Sequence, residues 1–216
     1  MTKNDEYIKR VVKGKTFVDV GPLWGLVNEK VSVANYYGAK AVTAIDQWPT
    51  TDGLWEAFHK RMQSLKVNYN WFPINVFNWQ GPPFDVTYCV GVLYHHPDPP
   101  VLLQKLYSMT NEYLILGSTV TRQKFRNTHG GSVSLSTINE SEREMLLDEW
   151  ISFLEDRYVP GLTTTDPVIW DAGNMYLWWW MLTQEYINSM CQDVGFQIEE
   201  QATLGDHLTL MLLKKL

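Results

Sequence analysis

Residues 17–25, FVDVGPLWG, constrain this chain more than any other stretch. An apolar run ends in Asp19, turns through Gly21 and Gly25, and leads into a segment with helical spacing. A second apolar run, residues 42–45, then ends in Asp46. Strand, glycine turn, helix and a second strand closing on an acid make the start of a parallel sheet. The carboxyl edge of such a sheet suits a nucleoside-containing ligand. Gly21 lets main chain approach that ligand closely, and Gly25 lets the helix start beside the strand. Asp46 is placed to accept both hydroxyl hydrogens of a ribose; the alternative is a helix cap or a solvated acid. Leu23 stands where a phosphate-cradling loop wants a small residue. No lysine lies between Gly25 and Glu29, which argues against a nucleoside-triphosphate loop.

The remaining order of elements extends that start. Residues 3–13 read as a short helix or extended arm. Thr16–Val20 is a continuous apolar strand, as in a parallel sheet covered on both faces. Residues 28–37 follow as a helix ended by Gly38, then Ala41–Ile45 as a strand. Thr51 or Asp52 can cap a helix over 54–65. A third strand lies within 67–72, before Pro73. Residues 84–91 form a fourth strand, 100–110 a helix begun by Pro97-Asp98-Pro99, and 113–118 a fifth strand. Strands alternating with helices give a doubly wound sheet with right-handed crossovers. Residues 119–174 break the pattern with Gly130-Gly131, Pro160-Gly161 and Pro167, and read as a lid or substrate insertion within a single domain. A helix over 183–194, ended by Gly195, precedes strands at 196–202 and 207–214. The tight Gly205-Asp206 link makes these an antiparallel hairpin at the sheet edge.

Composition narrows the function. A net charge of −6 gives no bulk reason to expect nucleic-acid binding. The basic residues Lys9, Arg10, Lys13 and Lys15, and Lys60 and Arg61, read as solvated faces. Cys89 and Cys191 sit in apolar runs without metal-ligand spacing, so reduced core thiols and no metal are expected. A polar amino terminus and the lack of any apolar run of membrane-spanning length point to a cytoplasmic location. Ten Trp and eleven Tyr are too many for deep core alone. Some should line a pocket or cover an interface, including a homodimer contact.

Residues 16–118 resemble class I S-adenosylmethionine-dependent methyltransferases. The resemblance rests on FVDVGPLWG, on AVTAID and above all on FDVTYCVGVLYHHPDP. The last string is similar to the Gly-Val-Leu-Tyr-His segment of a bacterial subgroup. That subgroup includes enzymes acting on sugars and other small molecules, and a relative that modifies a transfer-RNA wobble uridine. The resemblance implies a seven-stranded, Rossmann-like, mostly parallel sheet with an antiparallel last strand, and S-adenosylmethionine as cofactor. Asp19, Gly21, Trp24 and Gly25 would surround its methionine part. Asp46 would hold the ribose, and Gln47, Asn75 and Val76 would lie towards the adenine, with Gly91 at the end of the fourth strand. Asn70 and Asn78 compete with Asn75 for the adenine amino group. Leu23 departs from the family's usual glycine.

Tyr94, His95 and His96 follow the fourth strand, beside the expected sulfur. Transfer to a hydroxyl needs alignment and a route for the proton, and histidine suits that at neutral pH. His95 is the candidate base, with Tyr94 or His96 orienting the substrate; His129 is a second candidate. The alternatives are that both adjacent histidines bond main chain, or that proximity and desolvation suffice without a base. Arg122, Lys124 and Arg126 alternate, so an extended chain would point them one way, towards a substrate anion or solvent. Trp170, Tyr176, Trp178, Trp179 and Trp180 concentrate aromatic surface, with 176 and 180 one turn apart on a helix. Substrate-binding candidates are therefore Arg122, His129, Trp170, Tyr176 and Trp179. The leading expectation is O-methylation of a small molecule. An RNA- or nitrogen-directed methyltransferase, a nicotinamide-dependent oxidoreductase and a non-catalytic adenosyl-binding protein are the alternatives.

Overall fold

The computed structural model describes residues 1–23, 28–51, 53–121, 131–134, 141, 180–205 and 207–216. Helix α1, Lys3–Val11, starts at a capping box. The Thr2 hydroxyl accepts from Asp5 N–H, and the Asp5 carboxylate accepts from Thr2 N–H. It buries Tyr7, Ile8 and Val11 and exposes its charges. Strand β1, Thr16–Val20, and strand β2, Ala41–Ile45, pair in parallel. Between them α2 spans only Val31–Tyr36, starting later than the expected residue 28. The difference has a local cause: the Glu29 side chain accepts from Ser32 N–H, and the Lys30 N–H turns back to Asp19. Gly38 follows the helix with φ +84°, as the expected carboxyl cap.

Helix α3, Leu54–Ser64, begins after Gly53 in a left-handed conformation, with no side-chain cap. Thr51 is therefore not the cap, because the N-cap position needs a positive φ that threonine avoids; Asp52 lies outside the described residues. Strand β3 is only Asn70–Phe72 and pairs with β2. A 3-10 turn at Val76–Asn78 leads to β4, Phe84–Val90, and another at Leu93–His95 leads to α4, Pro99–Ser108. The Asp98 side chain caps α4 at Val101 N–H, with proline in the first turn. Strand β5 runs from Thr110 to Thr119.

Short strands β6, Val133–Ser134, and β7, Trp180–Met181, pair antiparallel. Tyr176 lies outside the described residues, and Trp180 is in a strand and not in the expected helix. Pairing to Val133–Ser134, followed by the Thr121 N–H to Leu182 carbonyl bond, fixes it extended. Helix α5, Gln184–Val194, is capped by Thr183 and ended by Gly195 at φ +110°. Strands β8, Phe196–Leu204, and β9, Leu208–Lys215, close the chain.

The main sheet has seven strands in the order β3-β2-β1-β4-β5-β9-β8. Strands β1 to β5 pair in parallel, and β9 is antiparallel to both β5 and β8. Strand β9 lies between β5 and β8, and its antiparallel pairing with β8 is the one the tight link at Gly205 predicts. One face buries Tyr7, Ile8, Val31, Trp55 and Phe58 from α1, α2 and α3. The other buries Leu102, Leu106, Ile187 and Met190 from α4 and α5. Both cysteines are free and buried. Among the described residues no helix is long and apolar enough to cross a membrane.

Candidate functional site

Parallel strands bring their carboxyl ends to one edge, where the chain must turn and main-chain groups lose ladder partners. At the end of β1, Asp19 is 2% exposed and its Oδ2 accepts from the Lys30 N–H at 2.8 Å. Burial pushes its carboxyl up to about 8, against the opposing Lys30 hydrogen bond; Glu29 and Asp46 push the same way. Gly21 has φ +81° and donates its N–H to the Ile45 carbonyl at 2.9 Å. A side chain there would put a Cβ 2.7 Å from a Val92 methyl carbon, so the turn tolerates only glycine. The β1 turn and the turn after β4 therefore pack directly together.

Asp46, 6% exposed, is gripped by the turns on both sides. Its Oδ2 accepts from Leu23 N–H at 3.1 Å and its Oδ1 from Trp48 N–H at 3.0 Å. Burial raises its carboxyl above the ordinary range, opposed by the N–H groups of Trp48, Leu23 and Gln47. Each oxygen retains acceptor capacity. After β3, Asn75 Oδ1 accepts from Phe77 N–H at 3.0 Å, capping the 3-10 turn, while its Nδ2 donates to Gln47 Oε1 at 2.9 Å. Gln47 and Asn75, expected to share the adenine end, do meet, and Val76 lies half-buried beside them. Gly91 follows β4 with φ +83°, its N–H on the Gly117 carbonyl.

The next turn separates the two histidines. Tyr94 is buried, and its ring centroid is 4.2 Å from that of His95. Burial lowers the His95 imidazole to about 4, so it is neutral at physiological pH. His96 is held differently. Its Nδ1 lies 2.6 Å from the Asp98 carbonyl oxygen and 3.0 Å from the Asp98 N–H, so either tautomer is bonded to that main chain. Its ring also packs 5.1 Å from Phe77. His96 thus braces the turn through the Asp98 main chain.

Trp24, Gly25, Arg122, His129, Trp170, Tyr176 and Trp179 lie outside the described residues. What the sequence reading missed is the ion-pair frame behind Asp19. Glu29, with a fully buried side chain, pairs with Arg61 Nε of α3 at 3.1 Å. Lys30 Nζ pairs with Asp5 Oδ1 of α1 at 2.9 Å. The adjacent Glu29-Lys30 dipeptide, placed just before an apolar helix pattern, was the available signal. Both cations pair with acids other than Asp19 and Asp46, and among the described residues neither of those two carboxyls has an ion-pair partner within 4 Å. A ligand carrying a cation and vicinal hydroxyls suits these two carboxyl acceptors.

No protein-family model matches the chain, and no curated protein matches its sequence. Solved structures do match its fold. Magnesium protoporphyrin IX methyltransferase from Synechocystis PCC 6803, with bound SAH, superposes with a TM-score of 0.59 at 15% identity, over 94% of this chain and 75% of that one. A SAM-dependent methyltransferase from Aquifex aeolicus gives 0.59 at 12% identity, over 99% and 90%. Ribosomal protein L11 methylase from Lactobacillus delbrueckii subsp. bulgaricus gives 0.54 at 16% identity, over 98% and 76%. The chain carries the Rossmann-like fold of the S-adenosylmethionine-dependent methyltransferases, with its seven strands in the order and directions set out above.

Proposed function

We propose that this chain is an S-adenosylmethionine-dependent methyltransferase that acts on a small molecule, with a hydroxyl oxygen as acceptor. The observation that carries this reading is the Asp46 carboxylate, held by one main-chain N–H on each oxygen and still able to accept from two adjacent hydroxyls. Asp46 binds the ribose; the paired Gln47 and Asn75, with Val76, border the adenine. Asp19, Gly21 and Gly91, with Trp24 and Gly25 as the resemblance implies, would surround the amino-acid arm, and a cation bound there would stabilise the ionised form of Asp19. The cofactor supplies an electrophilic methyl group on a sulfonium.

What the protein adds is orientation, dryness and a place for a proton. His95 follows β4 next to Tyr94, and burial keeps its imidazole neutral, so it can take a hydrogen from an acceptor hydroxyl. An imidazole lowered to about 4 is a weak base. Alignment and exclusion of water therefore contribute more than proton removal. His96 serves to hold the turn. The net charge of −6 supports a small acceptor over a nucleic acid, and a cytoplasmic setting suits the reduced thiols.

Mass spectrometry of the protein as purified, together with calorimetric titration by S-adenosylmethionine, tests the reading. Bound adenosylhomocysteine or saturable binding supports it. Binding of a nicotinamide dinucleotide in its place overturns it. Release of adenosylhomocysteine across a screen of hydroxylated aromatics, sugars and carboxylic acids then identifies the acceptor.

A further inference from the structure

We propose that Lys30 is a positioning residue for Asp19: its buried ammonium, anchored on Asp5 of α1, fixes the main-chain N–H that aims the Asp19 carboxylate at the amino-acid arm of a nucleoside ligand. The proposal rests on the cofactor reading above. Lys30 makes both bonds from one residue. Its N–H donates to Asp19 Oδ2 at 2.8 Å, and its Nζ donates to Asp5 Oδ1 at 2.9 Å. The lysine side chain is only 8% exposed. A lysine confined in this way gives up hydration and rotamer freedom that a helix start on the surface would leave intact.

The anchor on α1 is itself fixed. Asp5 Oδ2 accepts from Thr2 N–H at 3.1 Å in the capping box, which leaves Oδ1 for the lysine. On the other side, the preceding Glu29 is held by Arg61 Nε of α3 and by the Ser32 N–H and hydroxyl. The Glu29–Lys30 peptide is thus tied to α1 by one side chain and to α3 by the other. Without the lysine anchor, the donor to Asp19 would be held from one side only, by the Glu29 bonds to Arg61 and Ser32, at the start of a six-residue helix with no side-chain cap at Lys30. The bond to Lys30 occupies Oδ2 and sets the carboxylate plane, so Oδ1 is the oxygen offered to a ligand cation. Nζ itself pairs with Asp5, so Lys30 meets Asp19 through its N–H and acts on it with its charge only from a distance.

The test compares two ligands with the same nucleoside. S-adenosylhomocysteine carries the amino-acid arm, and 5′-methylthioadenosine lacks it. Lys30→Met keeps the N–H and removes the anchor. Calorimetry should show adenosylhomocysteine affinity falling about tenfold while methylthioadenosine stays within about twofold. Lys30→Arg should recover most of the loss. Asp5→Asn keeps a cap acceptor, removes the charge from the more exposed partner, and should show the same selectivity with a smaller effect. Equal weakening of both ligands would mean general loosening and would overturn the proposal alone, as would unchanged affinity for both. If the wild type binds neither nucleoside, the cofactor reading and this proposal fall together.

Discussion

At the scale of single residues, the site is built from buried acids whose usual charge state is unfavourable without a ligand. Asp46→Asn keeps the shape but exchanges one acceptor oxygen for an amide donor. It should weaken S-adenosylmethionine binding by about 1.5–3 kcal/mol, the range for a charge-assisted hydrogen bond, in calorimetric titration. Unchanged affinity would remove Asp46 from the ribose site. Asp19 gives a pH prediction with a definite sign. Its folded carboxyl sits at about 8, above the unfolded value, so the folded chain binds the extra proton. The stability this supplies is complete below about pH 3.9, the unfolded value, and is lost as pH rises through about 8. Asp19→Asn has no such proton to lose. Its melting temperature relative to wild type should therefore rise between pH 5 and pH 8.5. For His95, the lowered imidazole means the folded state binds fewer protons between about 4 and 6.5. Its contribution is present above that window and lost below it. His95→Gln should reduce methyl transfer about 10²-fold at neutral pH, with the deficit shrinking at high pH as the acceptor ionises unaided. A rate equal to wild type at neutral pH would make His95 structural.

At the scale of elements, the caps decide where helices begin and so where site residues fall. Thr183 is fully buried and caps α5 through Tyr186 N–H at 3.3 Å, while its own N–H donates to Ser132 Oγ at 2.8 Å. It joins the β6–β7 ribbon to the helix beneath. Thr183→Val preserves volume but removes the cap acceptor, and should cost about 1–2 kcal/mol in denaturant unfolding. A change under a few tenths would show that packing alone holds this junction. At the other end of α5, Gly195 combines φ +110° with a Tyr107 ring atom 3.2 Å from a would-be Cβ. That close approach is why the helix stops there and β8 can enter the sheet edge. The short α2 follows the same logic in reverse: hydrogen bonds to Glu29 and from Lys30 occupy the groups that would have extended it.

For the molecule as a whole, the sheet order places β1, β4, β5 and β9 between other strands and between two helical layers, while β3 is a three-residue edge. Backbone hydrogen bonds in the centre can exchange only through large openings, and those at a short edge open locally. Amide exchange should therefore be slowest in β1, β4, β5 and β9 and fastest, within the sheet, in β3. Saturation with S-adenosylmethionine should add protection at the turns following β1 and β2, where the N–H groups of Leu23 and Trp48 hold Asp46. Uniform protection across the chain, with no difference at those turns, would place the ligand elsewhere.

Strands β1, β2, β4 and β5 were legible in the sequence because a strand buried on both faces must be apolar along its whole length. The closing hairpin was legible because Gly205 and its neighbours leave room only for a tight reversal. Asp19 and Asp46 stood out because an acid ending such a run is anomalous. The start of α2 and the strand at Trp180 were not legible because they depend on partners distant in sequence, and the cap of α3 because a left-handed Gly53 replaces a side-chain cap. Lys30 reaches Asp5, and Trp180 pairs with Ser134. The division between His95 and His96 was equally hidden, because two neighbouring residues of one type differ only in what surrounds them. The sequence alone determined the alternating strands, the closing hairpin and the identity of the acids at the sheet edge, since these follow from periodicity and chain geometry, while the seven-stranded order came from the resemblance. Only the tertiary structure decided that one oxygen of Asp19 and both of Asp46 are already bonded, which histidine is buried and neutral, and which acid each cation pairs with. Those properties arise from long-range contacts that desolvate and pair the groups.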